Sequence, residues 1–521
     1  MIVTLLFLKS MSLNNKKLKK SGFSFLFSNK NKYYAIYHSL SCEVIYGGKL
    51  LRDIFTHFID YNTYNNFLKA NTNTEPDKLR KLCNLLYEKG VIVENDIQDK
   101  KMLRNLQKQV RDKNFIKTLY LSLTYRCNFR CSYCISNNSL ALGRNNKILN
   151  LDMSKEVAKM AADYYLHNAK DEGDKEVVFY GGEPLLNFDV LKFLVNYINE
   201  KEGIKKSKNR NYKRSRFILC TNGSLIDEEK ASFIKENNIY PAVTFDGDKK
   251  THNKVRRYVN NKGTYEDVIV GYRKLQKLNF PIGITLTLGR HNVKKLAEFI
   301  KLFADQFKPY TIATNTMVDY EDGGNEYVCD GSILANNLIK AFRVARNKGM
   351  YIVKYVMDNR VKPLVEKLPR LKGCTGTGSR IMVLPDGALA ACAAYAKNSK
   401  VKLQDNPKVK DFIPFGIEYY SPFFKNQCRF CPAISCCGGG CPKNAEIKHG
   451  TFWGLDDDYC IQSKKFLEWL IWDLFDFLDK RKLAKNGFLY PTSEDRRKIY
   501  GNIKVYKSPL DFQYTPNVSN L

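Results

Sequence analysis

No stretch of the sequence reaches the roughly 20 consecutive apolar residues that a membrane-spanning helix needs, which argues against an integral membrane protein. The short apolar run at 2–8 has no charged segment before it and no small-residue cleavage site after it. We therefore expect no signal peptide and a cytoplasmic location. Cysteine is also sparse, because 15 cysteines in 521 residues are too few for a disulfide-stabilised scaffold. The six histidines show no metal-like spacing.

Acidic residues are outnumbered by basic ones. The chain has 53 Asp and Glu against 85 Lys and Arg, a formal net charge of +32. Such an excess suits an acidic or polyanionic partner, but it also suits a composition that is simply rich in Lys and Asn. A hydrophobic fraction of 44% excludes wholesale disorder, and the length predicts about three or four domains.

Residues 31–112 predict a small domain of paired strands and helices. We expect strands at 33–38, 42–46 and 91–93, and helices at 50–61, 75–89 and 96–113. This combination favours a winged-helix-like unit; the alternative is a simple cap on the next domain. Residues 1–30 are rich in Lys, Asn and Ser, so we expect a mobile N-terminus there.

Strands and helices alternate over residues 113–350, which predicts an α/β domain with a parallel sheet and right-handed crossovers. The expected strands are 118–123, 176–180, 216–221, 242–245, 282–288 and 310–314. Six such units are too few for a closed eight-stranded barrel. The basic segment 201–216 is expected to be a solvated loop. A linker at 351–373, a Cys-rich domain at 374–465, and a C-terminal helix and tail at 466–521 complete the chain.

Three cysteines follow the first of these strands with the spacing C-x3-C-x2-C: Cys127, Cys131 and Cys134. A four-iron cluster usually takes four Cys ligands. No fourth Cys lies close in sequence, so one iron would be left for a ligand from outside. Zinc is the alternative, but a structural zinc site needs four protein ligands. The triplet therefore predicts an iron–sulfur cluster.

A second motif, Gly181-Gly182-Glu183-Pro184, follows the second predicted strand. Adjacent glycines allow the backbone to approach a ligand closely. The neighbouring carboxylate can accept hydrogen bonds from an ammonium group. Ligands of α/β sheets bind at the carboxyl ends of the strands, where this motif lies.

The two motifs together resemble the radical S-adenosylmethionine (SAM) superfamily. The resemblance implies a partial (β/α)6 barrel whose [4Fe–4S] cluster binds SAM and reduces it to a 5′-deoxyadenosyl radical. Glu183 and the backbone of Gly181 and Gly182 would then hold the SAM amino group. Thr221-Asn222-Gly223 and Phe245-Asp246-Gly247, each at a strand end, also resemble segments of the family's SAM pocket. The stretch after them resembles a family segment with an Arg near SAM, and the resemblance does not discriminate between Arg256 and Arg257. The implied cofactor-binding residues are Tyr133, Pro184, Thr221, Asn222 and Arg256.

The remaining clustered cysteines lie in a demanding pattern, C-x12-G-x4-C, then C-x2-C-x5-C-x3-C, then a final Cys. This pattern resembles the SPASM domain, which carries two auxiliary iron–sulfur clusters. The resemblance assigns an outer [4Fe–4S] cluster to Cys428, Cys431, Cys437 and Cys460. It assigns an inner [4Fe–4S] cluster to Cys374, Cys392 and Cys441. Zinc ribbons are the alternative for the paired C-x2-C spacing.

Fully ligated SPASM relatives have a further Cys shortly before the first one, and residues 364–373 contain none. The inner cluster is therefore expected either to have one open iron or to use Cys436. An open iron would attract a thiolate, which is a soft donor.

We expect a radical SAM/SPASM peptide maturase that acts on a ribosomally made precursor peptide through thioether crosslinking. By the same resemblance, residues 31–112 would take the leader peptide as an added strand. An external electron donor of the flavodoxin or ferredoxin type would supply electrons.

Two alternatives remain open. One is an enzyme like the anaerobic sulfatase maturases, which oxidise Cys or Ser, although these normally have full inner-cluster ligation. The other is a zinc-containing nucleic-acid-binding protein, in which the triplet and the Gly-Gly-Glu-Pro motif would have no function.

Overall fold

The computed structural model describes residues 13, 15–70, 75–112, 115–135, 151–318, 326–353, 356–397 and 399–504. Residues 1–12 and 14 of the predicted mobile N-terminus lie outside these ranges, as do residues 505–521 of the predicted tail. Within them, no helix combines the length and the apolar character needed to cross a membrane.

The N-terminal domain combines short antiparallel strands with four helices. Its strands are β1 (Lys17–Lys20), β2 (Ser24–Ser28), β3 (Tyr34–His38), β4 (Glu43–Gly47), β5 (Asn62–Thr63) and β6 (Ile92–Val93). Its helices are α1 (Lys49–His57), α2 (Tyr64–Ala70), α3 (Pro76–Glu88) and α4 (Ile97–Asp112). Strands β2, β3 and β4 pair in order, while β1 pairs with β5 and β6. The strands and helices predicted for 31–112 are thus present.

The expectation of a mobile segment up to residue 30 was wrong for β1 and β2. Strand β2 forms a hairpin with β3 in which Phe25 lies opposite Tyr37. Leu18 of β1 is fully buried. Lys and Asn residues dominate the composition around these strands, so the short apolar segments between them were not predicted as strands. These segments gain their stability from pairing with other strands.

The middle of the chain forms the predicted α/β domain. Its parallel strands are β7 (Thr118–Ser122), β8 (Glu176–Tyr180), β9 (Arg216–Thr221), β10 (Tyr240–Thr244), β11 (Gly283–Leu288) and β12 (Thr311–Thr316). Its helices are α5 (Lys155–Asn168), α6 (Phe188–Lys208), α7 (Glu228–Glu236), α8 (Lys249–Val255), α9 (Tyr265–Lys277) and α10 (Leu296–Leu302). The six strands lie side by side in chain order. This order brings their carboxyl ends to one edge of the sheet, where the predicted motifs follow β7, β8 and β9.

The basic segment at 201–216 is not the solvated loop that we expected. Helix α6 continues through its first half to Lys208. Glu202 is buried there and accepts hydrogen bonds from the Tyr212 hydroxyl (3.0 Å) and the Ser215 backbone (2.8 Å). The single acidic residue of the segment therefore anchors it to the domain.

The C-terminal third is attached to both preceding domains. Its helices are α11 (Gly331–Lys348), α12 (Lys362–Glu366), α13 (Ile434–Cys437), α14 (Pro442–His449), α15 (Asp457–Asp476), α16 (Lys480–Asn486) and α17 (Ser493–Arg497). Its strands are β13 (Ile352–Val353), β14 (Arg380–Val383), β15 (Leu389–Ala390) and β16 (Phe488–Leu489). Strand β14 pairs in parallel with β7, and β16 pairs with β4. The expected linker at 351–373 contains β13 and α12, so it is a packed part of the fold.

A common core joins the N-terminal domain to the rest of the protein. Tyr37 and Tyr46 are fully buried in the same apolar cluster as residues of α15, and the Tyr46 hydroxyl donates to the Ile471 carbonyl (2.6 Å). Arg496 of α17 is also fully buried and donates to the Cys42 carbonyl (3.1 Å) and the Glu43 carboxylate (3.1 Å). A buried guanidinium left without these acceptors would be strongly destabilising.

Candidate active site

The cysteine triplet lies in the loop that follows β7. Burial, the Glu183 carboxylate and the thiols of Cys131 and Cys134 all raise the pKa of Cys127. Burial and the Cys134 thiol also raise the pKa of Cys131, to about 12. The fold thus gathers the three predicted thiols in one partly buried place. Bound iron would supply the positive charge that stabilises these groups as thiolates, because a coordinated thiol is deprotonated.

The backbone of this loop is held from two sides. On one side, the amides of Arg130 and Ser132 donate to the carbonyls of Arg257 (2.6 Å) and Val255 (3.0 Å). These carbonyls lie at and just beyond the end of α8, the helix after β10. The triplet is therefore positioned by backbone contacts and does not depend on side-chain packing alone.

On the other side, the loop rests on the two glycines after β8. Gly182 N donates to the Thr124 carbonyl (2.8 Å), and Glu183 N donates to the Arg126 carbonyl (2.8 Å). A Cβ at Gly182 would overlap Arg126, and Gly181 has a φ of +130°. We expected the glycines to allow the close approach of a ligand. In the structure they allow the close approach of the cysteine loop itself. Pro184 follows as the buried first residue of a short helical turn.

Glu183 is fully buried, and its carboxylate accepts three hydrogen bonds from the protein. Leu185 N (3.2 Å) and Thr221 Oγ1 (2.8 Å) donate to Oε1, and Asn222 N (2.7 Å) donates to Oε2. Burial raises the pKa of Glu183 to about 7, and no ion pair with a described cation opposes this rise. An ammonium group would supply such a cation, so the residue fits the predicted contact with the SAM amino group. That contact stays a prediction.

Asn222 connects the end of β9 to the cysteine loop. Its side-chain amide donates to Asn128 Oδ1 (2.8 Å) and lies 4.0 Å from Cys127 Sγ. Thr221 and Asn222, predicted to line the SAM pocket, therefore hold both Glu183 and the cysteine loop in place.

A buried cluster around Asp246 completes the site and joins the predicted residues Tyr133 and Arg256 to Asp246 and His291, which were not among the predicted site residues. Asp246 follows β10, is fully buried, and pairs with Arg256 (2.9 Å). The Tyr133 hydroxyl donates to the same carboxylate, and His291 lies 3.7 Å away. Burial alone would raise the pKa of Asp246. The Arg256 guanidinium, together with His291 and His252, outweighs this effect and holds that pKa well below its usual range.

This cluster distinguishes the two adjacent arginines, between which the sequence did not discriminate. Arg256 is buried, lies over the Tyr133 ring (5.3 Å), and donates to Cys131 Sγ (3.7 Å). Arg257 donates to the Asn253 carbonyl, at an exposed position. The Phe-Asp-Gly sequence after β10 was the available signal for Asp246. His291 had no such signal, because only the packing of β11 beside β10 brings it close.

The four cysteines assigned to the outer cluster are close together in the structure. Burial and the thiols of Cys428 and Cys431 raise the pKa of Cys437 and, to about 12, that of Cys460. Asp456 caps α15 by accepting a hydrogen bond from Tyr459 N (3.4 Å), and this places Cys460 in the first turn.

The three cysteines assigned to the inner cluster form a separate group. Burial, the Asp456 carboxylate and the Cys374 thiol raise the pKa of Cys441, and Cys392 adds to the effect. A Cβ at Gly376 would touch Cys374 Sγ (3.4 Å) and Cys392 Cβ (3.5 Å).

The inner group adjoins the sheet of the α/β domain. Arg380 of β14 donates to Thr375 Oγ1 (3.0 Å), next to Cys374, and lies over the Tyr120 ring of β7 (4.1 Å).

Cys436 does not join the inner group. It is 1% exposed, and its thiol donates to the Ala433 carbonyl (3.5 Å). Burial, then Cys437 and Cys42, raise its pKa, while none of the three inner cysteines is among the main contributors. Cys436 therefore faces the N-terminal domain.

Among the described residues, no three His, Cys, Asp or Glu side chains converge closely enough to hold a single metal ion.

Comparison with known proteins identifies the domain. Residues 121–303 match the Radical SAM superfamily. The chain contains a radical SAM domain. It includes the cysteine triplet, Glu183 and the Asp246 cluster, so the predicted radical SAM domain is confirmed. A radical SAM domain implies a [4Fe–4S] cluster and SAM.

Two relatives extend the comparison. An uncharacterized protein of Methanocaldococcus jannaschii is 35% identical over 188 residues, which cover 36% of this chain and 58% of that protein. The radical SAM cyclopropyl synthase TigE of Paramaledivibacter caminithermalis is 22% identical over 512 residues, which cover 93% of this chain and 100% of that protein. The second similarity therefore extends well beyond the radical SAM domain.

A solved structure, native anSMEcpe with bound AdoMet and Cp18Cys peptide, has the same fold. It matches with a TM-score of 0.55 at 21% identity, over 69% of this chain and 98% of that chain. The predicted α/β fold class with a parallel sheet is thereby confirmed.

Replacing Glu183 with Gln removes its charge and keeps its volume. We expect the affinity of the reconstituted enzyme for SAM to fall about tenfold, because the ammonium group would lose a charge-assisted hydrogen bond. Equilibrium dialysis with labelled SAM measures this. Glu202→Gln is the matched control, since Glu202 is another buried, hydrogen-bonded carboxylate in the same domain but lies away from the site. Equal SAM affinity for the wild type and Glu183→Gln would contradict the contact.

Proposed function

We propose that this radical SAM enzyme modifies a Cys-containing, ribosomally made precursor peptide by joining a Cys sulfur to a peptide carbon. The observation that carries the proposal is the separation of seven further cysteines into two groups, one of which adjoins the sheet of the radical SAM domain. An N-terminal domain with an open strand edge supports a peptide as the substrate.

In the radical SAM domain, Cys127, Cys131 and Cys134 would hold the cluster. When bound, the cluster passes one electron to SAM, which gives methionine and a 5′-deoxyadenosyl radical that removes a hydrogen atom from the peptide. Glu183 would hold the SAM amino group. Asp246 fixes Arg256 and Tyr133 beside the triplet, and the burial of these groups excludes water from the reaction.

The proposed bond formation balances without a further oxidant. The peptide loses one hydrogen atom to 5′-deoxyadenosine and one proton from the Cys thiol. Joining the carbon radical to the thiolate forms the C–S bond and releases one electron, which replaces the one used to cleave SAM. An external donor of the flavodoxin or ferredoxin type would supply the first electron.

The two C-terminal groups would hold auxiliary [4Fe–4S] clusters. Cys428, Cys431, Cys437 and Cys460 would hold the outer cluster. Cys374, Cys392 and Cys441 would hold the inner one and leave one iron for a ligand from outside the chain. The orientation of Cys436 toward Cys42 supports this open position, because the residue proposed as an alternative ligand points elsewhere.

The N-terminal domain would bind the leader of the precursor at the edge of β2. This strand ends the sheet order β16-β4-β3-β2. Ser39 N donates to the Phe23 carbonyl and Asn29 N to the Tyr33 carbonyl, so odd-numbered residues of β2 face β3. The backbone of Leu26 therefore faces outward and can pair with an added strand.

A second product class has specific support. One relative, whose match covers 93% of this chain, is named a radical SAM cyclopropyl synthase. Cyclopropane formation would remove two hydrogens from the peptide, like thioether formation, but would leave every Cys thiol intact.

Incubation with SAM, a reductant and a Cys-containing precursor is expected to give 5′-deoxyadenosine and a peptide lighter by two hydrogens. One fewer thiol should react with iodoacetamide for each crosslink. Mass spectrometry measures both. Replacing Cys127, Cys131 and Cys134 with Ala should abolish both products, while Cys83→Ala, a buried cysteine of α3, should not.

Two results would contradict parts of this scheme. Loss of two hydrogens with an unchanged thiol count would exclude the thioether and favour a cyclopropane. SAM cleavage by the triple variant would show that the triplet does not hold the radical cluster.

Leu26→Pro removes the outward N–H of β2 without removing an N–H that faces β3. We expect it to weaken leader binding more than Leu26→Ala does, because affinity in strand addition comes mainly from backbone pairing. Fluorescence anisotropy with a labelled leader measures the difference. Equal affinities for the Pro and Ala variants would contradict binding at this edge.

Cys436→Ala should leave the metal content unchanged, because its thiol lies away from the inner group. Three four-iron clusters contain about twelve irons, and Cys441→Ala should lose about four of them. Iron and sulfide analysis measures the metal content, and electron paramagnetic resonance measures the signal of the inner cluster. Loss of the inner-cluster signal in Cys436→Ala would show that the cluster is closed by that residue.

A further inference from the structure

A basic and aromatic groove lies between α11 and α15, away from the cysteine sites. Its volume is about 580 Å³. The residues that define its character are Lys340, Arg343, Lys465, Glu468, Trp469 and Trp472. Nothing in the mechanism described above uses this surface.

The charged side chains of this groove form no ion pair within the described part of the chain. Its three cations make no ion pair there, even though Lys465 and Glu468 lie three residues apart on one helix. Arg343 lies over the Trp469 ring (5.3 Å), and the Trp469 indole N–H has no acceptor. That nitrogen is itself buried, so the groove offers positive charge above an aromatic floor.

The two helices that form the groove run parallel. At their N-terminal ends, Gly331 N donates to Asp458 Oδ1 (3.0 Å). Near their C-terminal ends, Arg346 pairs with Asp473 (2.5 Å). The lining residues lie at 336–343 and 465–472, in the middle of this pair, so the groove follows the helix axes for about two turns.

Beyond the groove, the two ends of the helix pair lie near the N-terminal domain and near the cysteine loop. At the C-terminal end, Trp472 packs on Tyr46 of β4 in the N-terminal domain (6.2 Å). The N-terminal end of α11 follows Tyr327, which packs on Tyr133 in the cysteine loop (6.1 Å). From Phe475 back to Asp458 the helix spans about 25 Å, or about eight residues of extended peptide.

We propose that this groove binds an acidic segment of the precursor peptide, between the part held by the N-terminal domain and the part that reacts. The inference rests on the proposed function. The three cations, which form no ion pair in the described part of the chain, favour carboxylates, and the tryptophans favour the apolar parts of a peptide. The helix pair that carries the groove lies between the N-terminal domain and the segment beside the cysteine loop. An acidic segment would also be attracted by the net charge of +32.

The test uses full-length reconstituted enzyme carrying Trp453→Phe. This change leaves Trp469 and Trp472 as the tryptophans of the chain, so the emission reports on the groove. The probes are two synthetic eight-residue peptides, one alternating Glu and Gly and one alternating Lys and Gly. We expect the Glu peptide to change the emission and to bind less tightly as salt rises, and the Lys peptide to have no effect.

Charge reversal of Lys340, Arg343 and Lys465 to Glu should weaken binding of the Glu peptide at least tenfold. The matched control reverses three exposed helical lysines elsewhere, Lys235, Lys277 and Lys301, and should bind as the starting protein does. Equal weakening by both triple variants would overturn the proposal, because net charge alone would then explain the binding. Thermal unfolding checks each variant, and Lys340→Gln with Arg343→Gln replaces the reversal if that variant unfolds early.

Other occupants are tested in the same assay. Tighter binding of an eight-nucleotide oligo-dT, of a peptide with the sequence of residues 505–521, or of a second copy of the chain in light scattering would each overturn the assignment. The assay involves no turnover. Failure of peptide binding with intact peptide modification would reject the groove alone, whereas failure of modification would reject the proposed function.

Discussion

The contact between the cysteine loop and the two glycines after β8 is the constraint on which the active site depends. The amides of Gly182 and Glu183 donate to the carbonyls of Thr124 and Arg126, at a distance that leaves no room for a side chain on Gly182. This contact brings the loop of the three cysteines against Glu183, which the end of β9 then fixes through Thr221 and Asn222. The chemistry of the site follows from that backbone arrangement.

The sheet edges attach the other parts of the protein to this centre. Strand β14 extends the radical SAM sheet beside β7 and carries Arg380 next to the inner cysteine group. Strand β16 extends the sheet of the N-terminal domain beside β4. Because both additions come from the C-terminal third, that region holds the N-terminal domain and the radical SAM domain in one structure. The groove between α11 and α15 is a product of the same arrangement.

Local patterns predicted most of the strands and helices, and they failed where stability came from distant partners. The six parallel strands were predicted correctly because buried parallel strands are short, apolar and separated by helical periodicity. Strand β2 was missed because its phenylalanines are stabilised by pairing with β3. We predicted a loop at the end of α6 because the segment is rich in lysine. Glu202 stabilises it there by accepting hydrogen bonds from Tyr212 and Ser215, which lie beyond the helix.

The sequence by itself determined the chemistry of the protein: the three loop cysteines, the seven C-terminal cysteines and Glu183 are set by residue type and spacing. Only the tertiary structure decided how these residues are grouped. It separated the inner cysteines from the outer ones, turned Cys436 toward Cys42, chose Arg256 over Arg257, and added Asp246 and His291 to the site. The physical reason is that ligand spacing is local along the chain, whereas burial and ion pairing depend on which strands and helices pack side by side.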